Sequence, residues 1–408
     1  MVNNKVIAIT AIAVVVIAVV TGVITLQTRT TQPTATITQT ITQTVTQTVT
    51  RTVTQSPQTV TVTVTTTLTP TTPSTPSIRG LTLNGAGATF PYPQIMEWIK
   101  KFYNRTGASI NYQPVGSGAG LSQFFQNVTD FACSDPPLKR SDWEKYRGNV
   151  MQVPFIVGAV VVVYNIPELP TGYNLKLSGE VIAKIYKGEI RFWDDDAIKM
   201  LNSDVANRLP RKEIIGVYRS DSSGTTEVFT TYLNKAAPNI WGKDLVGKTV
   251  DWPIAKVGRG VGGSGNPGVT QAVQATPYSI GYVEWSFAIT NKLQMAMVSN
   301  KDGNYLLPSE ASLKDALRMI NMPKSPLDDF SHTLEEVVYA PGPNTYPITS
   351  PSYIIMWRTY TAKEKALALS EFLKWLAIDG YRDVVPGYVA PPEEVIKLLT
   401  TASDILRQ

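Results

Sequence analysis

YRSDSSGTTEVFTTYL (Tyr218–Leu233) packs a fold decision and a chemical puzzle into one stretch. It runs from an arginine through a polar Ser-Asp-Ser-Ser-Gly loop into a segment whose apolar residues recur with a helical period. A strand that feeds a Gly/Ser/Thr turn and then an amphipathic helix is the repeating unit of an α/β fold. The same loop has the composition an anion requires, because a helix start offers bare N–H groups and the hydroxyls add donors. Asp221, inside that loop, should repel the same anion.

The unit recurs upstream. GAGATFPYP (Gly85–Pro93) and GSGAG (Gly116–Gly120) each combine glycine with Ser or Thr, and each stands just before a predicted helix. Pro91 and Pro93 suit a first helical turn, where a missing N–H is harmless. Taken singly, each loop reads as ordinary N-capping by Ser or Thr. Together, three helix N-termini, each carrying roughly half a positive charge, are able to converge on one anion. Arg219 would then supply a planar cationic fork, with Asp221 orienting it through a salt bridge.

Outward from these loops, short apolar strands alternate with amphipathic helices from Leu81 onward. VGAVVVVYN (Val157–Asn165) reads as a fully buried strand and SIGYVEWSFAI as another. PQIMEWIKKFYNRTG, SGEVIAKIYKGEI, KEKALALSEFLKWLAIDG and EEVIKLLTTASDILRQ read as helices. The chain has 408 residues, one cysteine (Cys133) and one histidine (His332). A single cysteine excludes an internal disulfide framework and a cysteine-based zinc cluster, and a single histidine excludes a His-rich metal site. No cofactor and no metal are expected. The net charge of +5 is too small for a nucleic-acid footprint.

The first 79 residues do not read as a folded domain. VIAITAIAVVVIAVVTGVITL (Val6–Leu26) is uncharged and long enough to cross a bilayer as a helix, with a cleaved signal peptide as the alternative for residues 1–26. Residues 27–79 are rich in Thr and Pro and include TITQTITQTVTQTVTRTVTQ (Thr36–Gln55). Its Thr/Val alternation suits strand pairing, but little in it builds a core, so an extended, glycosylated stalk is the expectation.

Other patterns carry less. GKDLVGKT (Gly242–Thr249) fits the phosphate-loop expression, but it follows no buried strand, and Pro253 is expected to block a helix after it. GRGVGGSGNPG (Gly258–Gly268) reads as a flexible loop at a cleft rim. A Ser-His-Asp hydrolase would have to use His332 in a loop-like segment, and Cys133 reads as buried packing.

The strings GAGATFPYP, VGSGAG, FACSDPPL, RSDSSGTT and SIGYVEW, in that order, resemble the phosphate-binding protein of high-affinity phosphate ABC transporters. The resemblance runs from about Leu81 to near the C-terminus. It implies a type II periplasmic-binding-protein fold, in which two α/β domains are joined by two crossover strands around a ligand cleft. The first domain would be discontinuous (80–163 and 283–408), the second would span 164–282, and the crossings would be the VVVVYN and SIGYVEW strands. Carried over by motif, the phosphate ligands are Thr89, the Phe90 N–H, Ser117, Asp135, Arg219, Ser223, Gly224 and Thr225, with Asp221 behind Arg219. Gly118 stands where many members have a second serine, which leaves only a backbone donor there. The implied partners are inorganic phosphate and a membrane permease, and the implied location is the cell surface, on the N-terminal helix.

The resemblance also resolves the opposing carboxylates. Near neutral pH phosphate keeps a proton, and an ionised carboxylate accepts hydrogen bonds only. Asp135 would therefore admit protonated phosphate and repel sulfate. Alternatives are a binding protein for sulfate or molybdate, a phosphatase using Ser223 or Thr225 as nucleophile, and a structural surface protein.

Overall fold

Within the first of two compact units, Met1–Thr75, the segment read as a stalk contains two paired strands. In the computed structural model, which describes residues 46–55, 58–67 and 78–408, β1 (Thr46–Gln55) lies antiparallel to β2 (Gln58–Thr67). Their register runs from Thr46 opposite Thr67 to Gln55 opposite Gln58. A period-two alternation of Thr with Val is the pattern a pleated strand needs. The apolar run at 6–26 lies outside the described residues, and no helix among the described residues is long and apolar enough to cross a membrane.

The second unit, Pro76–Gln408, is organised by one mixed sheet. Its strands are β3 (Thr82–Gly87), β4 (Ser109–Gln113), β5 (Phe131–Ser134), β6 (Val150–Tyr164), β7 (Ile215–Arg219), β8 (Gly260–Gly263), β9 (Ser279–Glu284) and β10 (Thr349–Trp357). They lie in the order β4-β3-β5-β10-β6-β9-β7-β8. β3, β4 and β5 are mutually parallel at one end, and β9, β7 and β8 at the other. Between these two parallel sets runs β6, 15 residues long and buried throughout. Its first part, Val150–Ala159, pairs antiparallel with β10, and its last part, Val160–Tyr164, pairs antiparallel with β9. A strand buried on both faces must be a near-continuous apolar run, which is why VGAVVVVY was readable. β6 bridges the two parallel sets, with β10 beside its first part and β9 beside its last. Beyond β9, Gln294–Met295 pairs with the end of β6 and Met297–Ser299 with Lys176–Leu177.

The helices follow local signals. α1 (Tyr92–Thr106) has Pro in its first turn and ends at Gly107, whose φ of 73° gives the left-handed cap that glycine adopts without strain. α2 (Ser117–Phe125) starts within GSGAG, whose Ser117–Gly120 form its first turn with only Gly116 ahead of it, and Ser178 caps α3 (Gly179–Lys187) by accepting the Val181 N–H. α4 (Gly224–Ala236) and α5 (Gly265–Ala275) open directly on the polar loops after β7 and β8. α6 (Lys363–Ile378) and α7 (Glu393–Leu406) close the first lobe.

Several local readings change. SIGYVEWSFAI, read as one strand, is β9 as far as Glu284 and a helix from Trp285 to Thr290. The Gly-rich segment Gly258–Gly268, taken as a flexible rim loop, is strand β8 followed by the first turn of α5. Its small residues allow the close strand-to-helix return. Pro253 does not block a helix but opens a one-turn one, Pro253–Lys256, in the position where its missing N–H is not needed. The C-terminal ends of β3, β5, β7 and β8 all lead into the loops singled out above. In open α/β sheets that edge is where ligands bind.

Candidate functional site

Arg219 is the last residue of β7, and its side chain is almost wholly buried. Two residues on, Asp221 faces it. Arg219 Nε donates to Asp221 Oδ1 at 2.7 Å and Nη2 donates to Oδ2, so the fork is held from one side. Burial by itself would raise the Asp221 carboxyl. The hydrogen bonds and charge of Arg219, with the Gly265 N–H at 2.9 Å, outweigh it and hold the group below its ordinary range. The remaining nitrogen, Nη1, points the other way, to Thr225 Oγ1 at 3.3 Å. The cation is thus oriented by Asp221 and presented toward the start of α4.

At that helix start, Ser223 Oγ accepts the Thr226 N–H at 3.1 Å, an ordinary N-cap. The Gly224 N–H reaches across to Ser117 Oγ at 3.2 Å. Thr225 Oγ1 donates to Asp135 Oδ2 at 3.3 Å. Asp135 itself follows β5 and is buried, with Ser352 Oγ donating to its Oδ1 at 3.2 Å. Burial pushes its carboxyl up to about 7, with the nearby charge of Arg219 and the hydrogen bonds from Ser352 and Thr225 pulling back. From the first lobe, Thr89 Oγ1 meets Asn266. The Phe90 carbonyl accepts the Tyr388 hydroxyl at 2.5 Å, while the Phe90 N–H has no partner among the described residues.

The structure therefore brings together Ser117, Asp135, Arg219, Asp221, Gly224 and Thr225 through direct contacts and joins Thr89 to them through Asn266, with Phe90 and Ser223 adjacent in the same loops. Sequence reasoning missed four neighbours. Asn266 opens α5 from the Gly-rich segment that was read as a loop. Lys248, inside the phosphate-loop look-alike, pairs with Glu227 at 2.6 Å and adds positive charge near Asp135. Ser352 sits on β10, 217 residues from Asp135. Glu284 ends β9 with its carboxyl on Ser286 and Tyr388, and burial pushes it up to about 8. The Asn in GSGNPG was the one available signal. The others needed the fold.

The lips of the cleft touch at glycine. The Gly118 N–H donates to the Ser222 carbonyl at 3.0 Å, and a Cβ at 118 would stand 2.0 Å from Ser222 Oγ and 2.6 Å from its Cβ. The space at position 118 holds no side chain unless Ser222 moves. Gly118→Ala is expected to hold the lips apart and weaken anion binding about ten- to a hundredfold, the equivalent of an overpacking strain of about 1–3 kcal/mol. Because the clash lies outside the core, the melting temperature without ligand should barely move. Calorimetric titration with parallel thermal melts checks both.

A family model described as the PBP superfamily domain matches residues 30–379. The phosphate-binding protein PstS of Methanocaldococcus jannaschii is 40% identical over 340 residues, covering 80% of this chain and 87% of that protein. The chain belongs to the PstS phosphate-binding protein family. A second PstS, from Pasteurella multocida, is 39% identical over 319 residues, covering 78% of this chain and 88% of its own length. Among solved structures, a high affinity periplasmic phosphate-binding protein bound with phosphate at pH 8.5 superposes with a TM-score of 0.63. It is 22% identical and covers 78% of this chain and 92% of that one. At that identity the likeness speaks for the fold. The PstS family fold is the one expected from sequence, two α/β domains joined by crossover strands around a cleft.

Proposed function

We propose that this chain is the phosphate-binding protein of an ABC phosphate transporter, working outside the cytoplasm. It captures inorganic phosphate in the cleft between the lobes and releases it to a membrane permease. The observation that carries this reading is the pairing of an oriented, buried Arg219 with a buried carboxyl, Asp135, among the hydroxyls and N–H groups of four converging loops. A plain anion site has no use for a carboxylate. A site for an anion that still carries a proton does.

The ligands in this reading are Thr89, the Phe90 N–H, Ser117, Asp135, Arg219, Ser223, Gly224 and Thr225. Asp221 holds the guanidinium. Charge-assisted hydrogen bonds of about 1.5–3 kcal/mol each offset the cost of dehydrating the ion. Binding closes the cleft around a hinge at β6 and β9, with 164–282 and the neighbouring Gln294–Ser299 strands moving against the rest. The closed form docks on the permease. No bond of the ligand is made or broken in this cycle. At the N-terminus, residues 6–26 anchor the chain in the membrane, and the Thr-rich segment spaces the binding unit from the surface.

Titration calorimetry of the full chain with phosphate, sulfate and a chromogenic phosphate ester tests the reading. Tight one-to-one phosphate binding without ester turnover supports it. Binding of sulfate in preference to phosphate, or hydrolysis of the ester, overturns it.

A further inference from the structure

Asn266 stands on α5 of the second lobe and is fully buried. Its Oδ1 accepts the Glu284 backbone N–H at 2.9 Å. That contact fixes which way the carboxamide faces, because a backbone N–H has to meet the oxygen and not the nitrogen. The Nδ2 group is consequently turned to two hydroxyls, Thr89 Oγ1 at 3.0 Å and Thr225 Oγ1 at 3.3 Å. The Asn266 backbone N–H donates to the same Thr89 oxygen at 3.1 Å.

A hydroxyl has two acceptor lone pairs and one proton. Both lone pairs of Thr89 Oγ1 are taken by Asn266, which leaves only its O–H. Thr225 Oγ1 accepts from Asn266 Nδ2 and from Arg219 Nη1, so it too has only its proton to give, and it gives it to Asp135. Thr89 lies on the first lobe, and Thr225 and Asn266 on the second. One buried carboxamide thus sets the direction of a hydroxyl on each side of the cleft and ties the lobes together.

Resting on the phosphate reading above, we propose that Asn266 is a positioning residue and interlobe latch. It holds Thr89 as a donor toward an acceptor-rich oxyanion and Thr225 as a donor to Asp135, and it slows reopening of the closed cleft. Without the carboxamide, the Thr89 hydroxyl is freer to rotate and present a lone pair to the anion.

The test is stopped-flow kinetics with inorganic phosphate on the full chain, comparing wild type, Asn266→Leu, Thr89→Val and the double variant. Asn266→Leu should raise the dissociation rate about tenfold, the equivalent of one or two lost hydrogen bonds, with the association rate nearly unchanged. The double variant should lose much less than the product of the single losses, because both remove the same contact. Asn266→Asp keeps the size and the Oδ1 acceptor for Glu284 but takes the hydroxyl protons for itself, and it should dissociate faster still. It serves as the reading variant if leucine lowers the melting temperature. An unchanged dissociation rate in Asn266→Asp, or fully multiplicative losses in the double variant, overturns the latch while phosphate binding by wild type stands. Failure of the wild type to bind phosphate instead overturns the function on which the latch depends.

Discussion

Asp135→Asn is expected to admit sulfate, at alkaline pH, to a site that there refuses it. Phosphate brings a proton to the cleft and sulfate brings none, so an ionised Asp135 has a donor to accept from in one case and a bare like charge in the other. Sites organised around a ligand's hydrogen bond reject analogues that lack it by about 10⁴–10⁵-fold. The amide of asparagine offers a donor to either anion, and about two pH units above the Asp135 value of about 7 the preference for phosphate should narrow by about a hundredfold. Competition calorimetry with both anions reads this directly. Sulfate still excluded in Asp135→Asn would move the discrimination elsewhere in the cleft.

The wild type should show the same chemistry as a pH effect. Burial holds the Asp135 carboxyl near about 7 in the free protein, so below that pH it carries its own proton and is able to donate. Sulfate binding needs that proton. Its affinity should be flat below about 7 and fall about tenfold per pH unit above it, the slope of a one-proton linkage. Phosphate, supplying its own proton, should change much less across the range, and Asp135→Asn should remove the sulfate slope. The raised carboxyl also bears on the ligand-free fold. Its stabilising contribution is complete below the unfolded value of about 4 and is lost as pH rises through about 7. Phosphate-free melts of wild type should therefore fall through that window relative to the asparagine variant.

Most of the scaffold was legible because its signals are local. The buried run in β6, the proline at the start of α1, the glycine after it and the Ser/Thr caps each report on their own few residues. The polar segments proposed to hold the anion could be picked out for the same reason, since Gly beside Ser or Thr at a helix start has a direct physical meaning. Contacts made only by folding were not legible. Asn266 reaches Thr89 across 177 residues, and nothing near position 266 announces a polar partner that distant. Ser352 stands in β10 close to Thr349 and Ser350, and nothing in that run tells which hydroxyl reaches the Asp135 carboxyl. The sequence could place a carboxylate beside the anion loops but not its burial, which sets the pH at which Asp135 changes role. Gly118 was visible as a departure from the usual pattern, while the crowding at it, from the Ser222 backbone and side chain, needed the fold.

Arg219→Gln is expected to be the most damaging single change to phosphate affinity, and the reason lies partly in what it leaves behind. The guanidinium loses its contact with the anion, and Asp221 loses the partner that holds its carboxyl ionised. Removing one member of a buried, hydrogen-bonded charge pair costs about 2–5 kcal/mol, much of it from the stranded charge. With the anion as the third member, affinity should fall by about 10³-fold or more. If part of that loss is the stranded carboxylate repelling phosphate, then adding Asp221→Asn to Arg219→Gln should recover some of it. Asp221→Asn alone leaves an unbalanced cation. It should lower the phosphate-free melting temperature and enlarge the stabilisation that phosphate gives, because the anion then neutralises what Asp221 no longer does. Calorimetry and melts on the three variants separate these terms. A double variant that binds no better than Arg219→Gln would mean that Asp221 serves only as a mechanical rest for the guanidinium, with no charge felt at the anion.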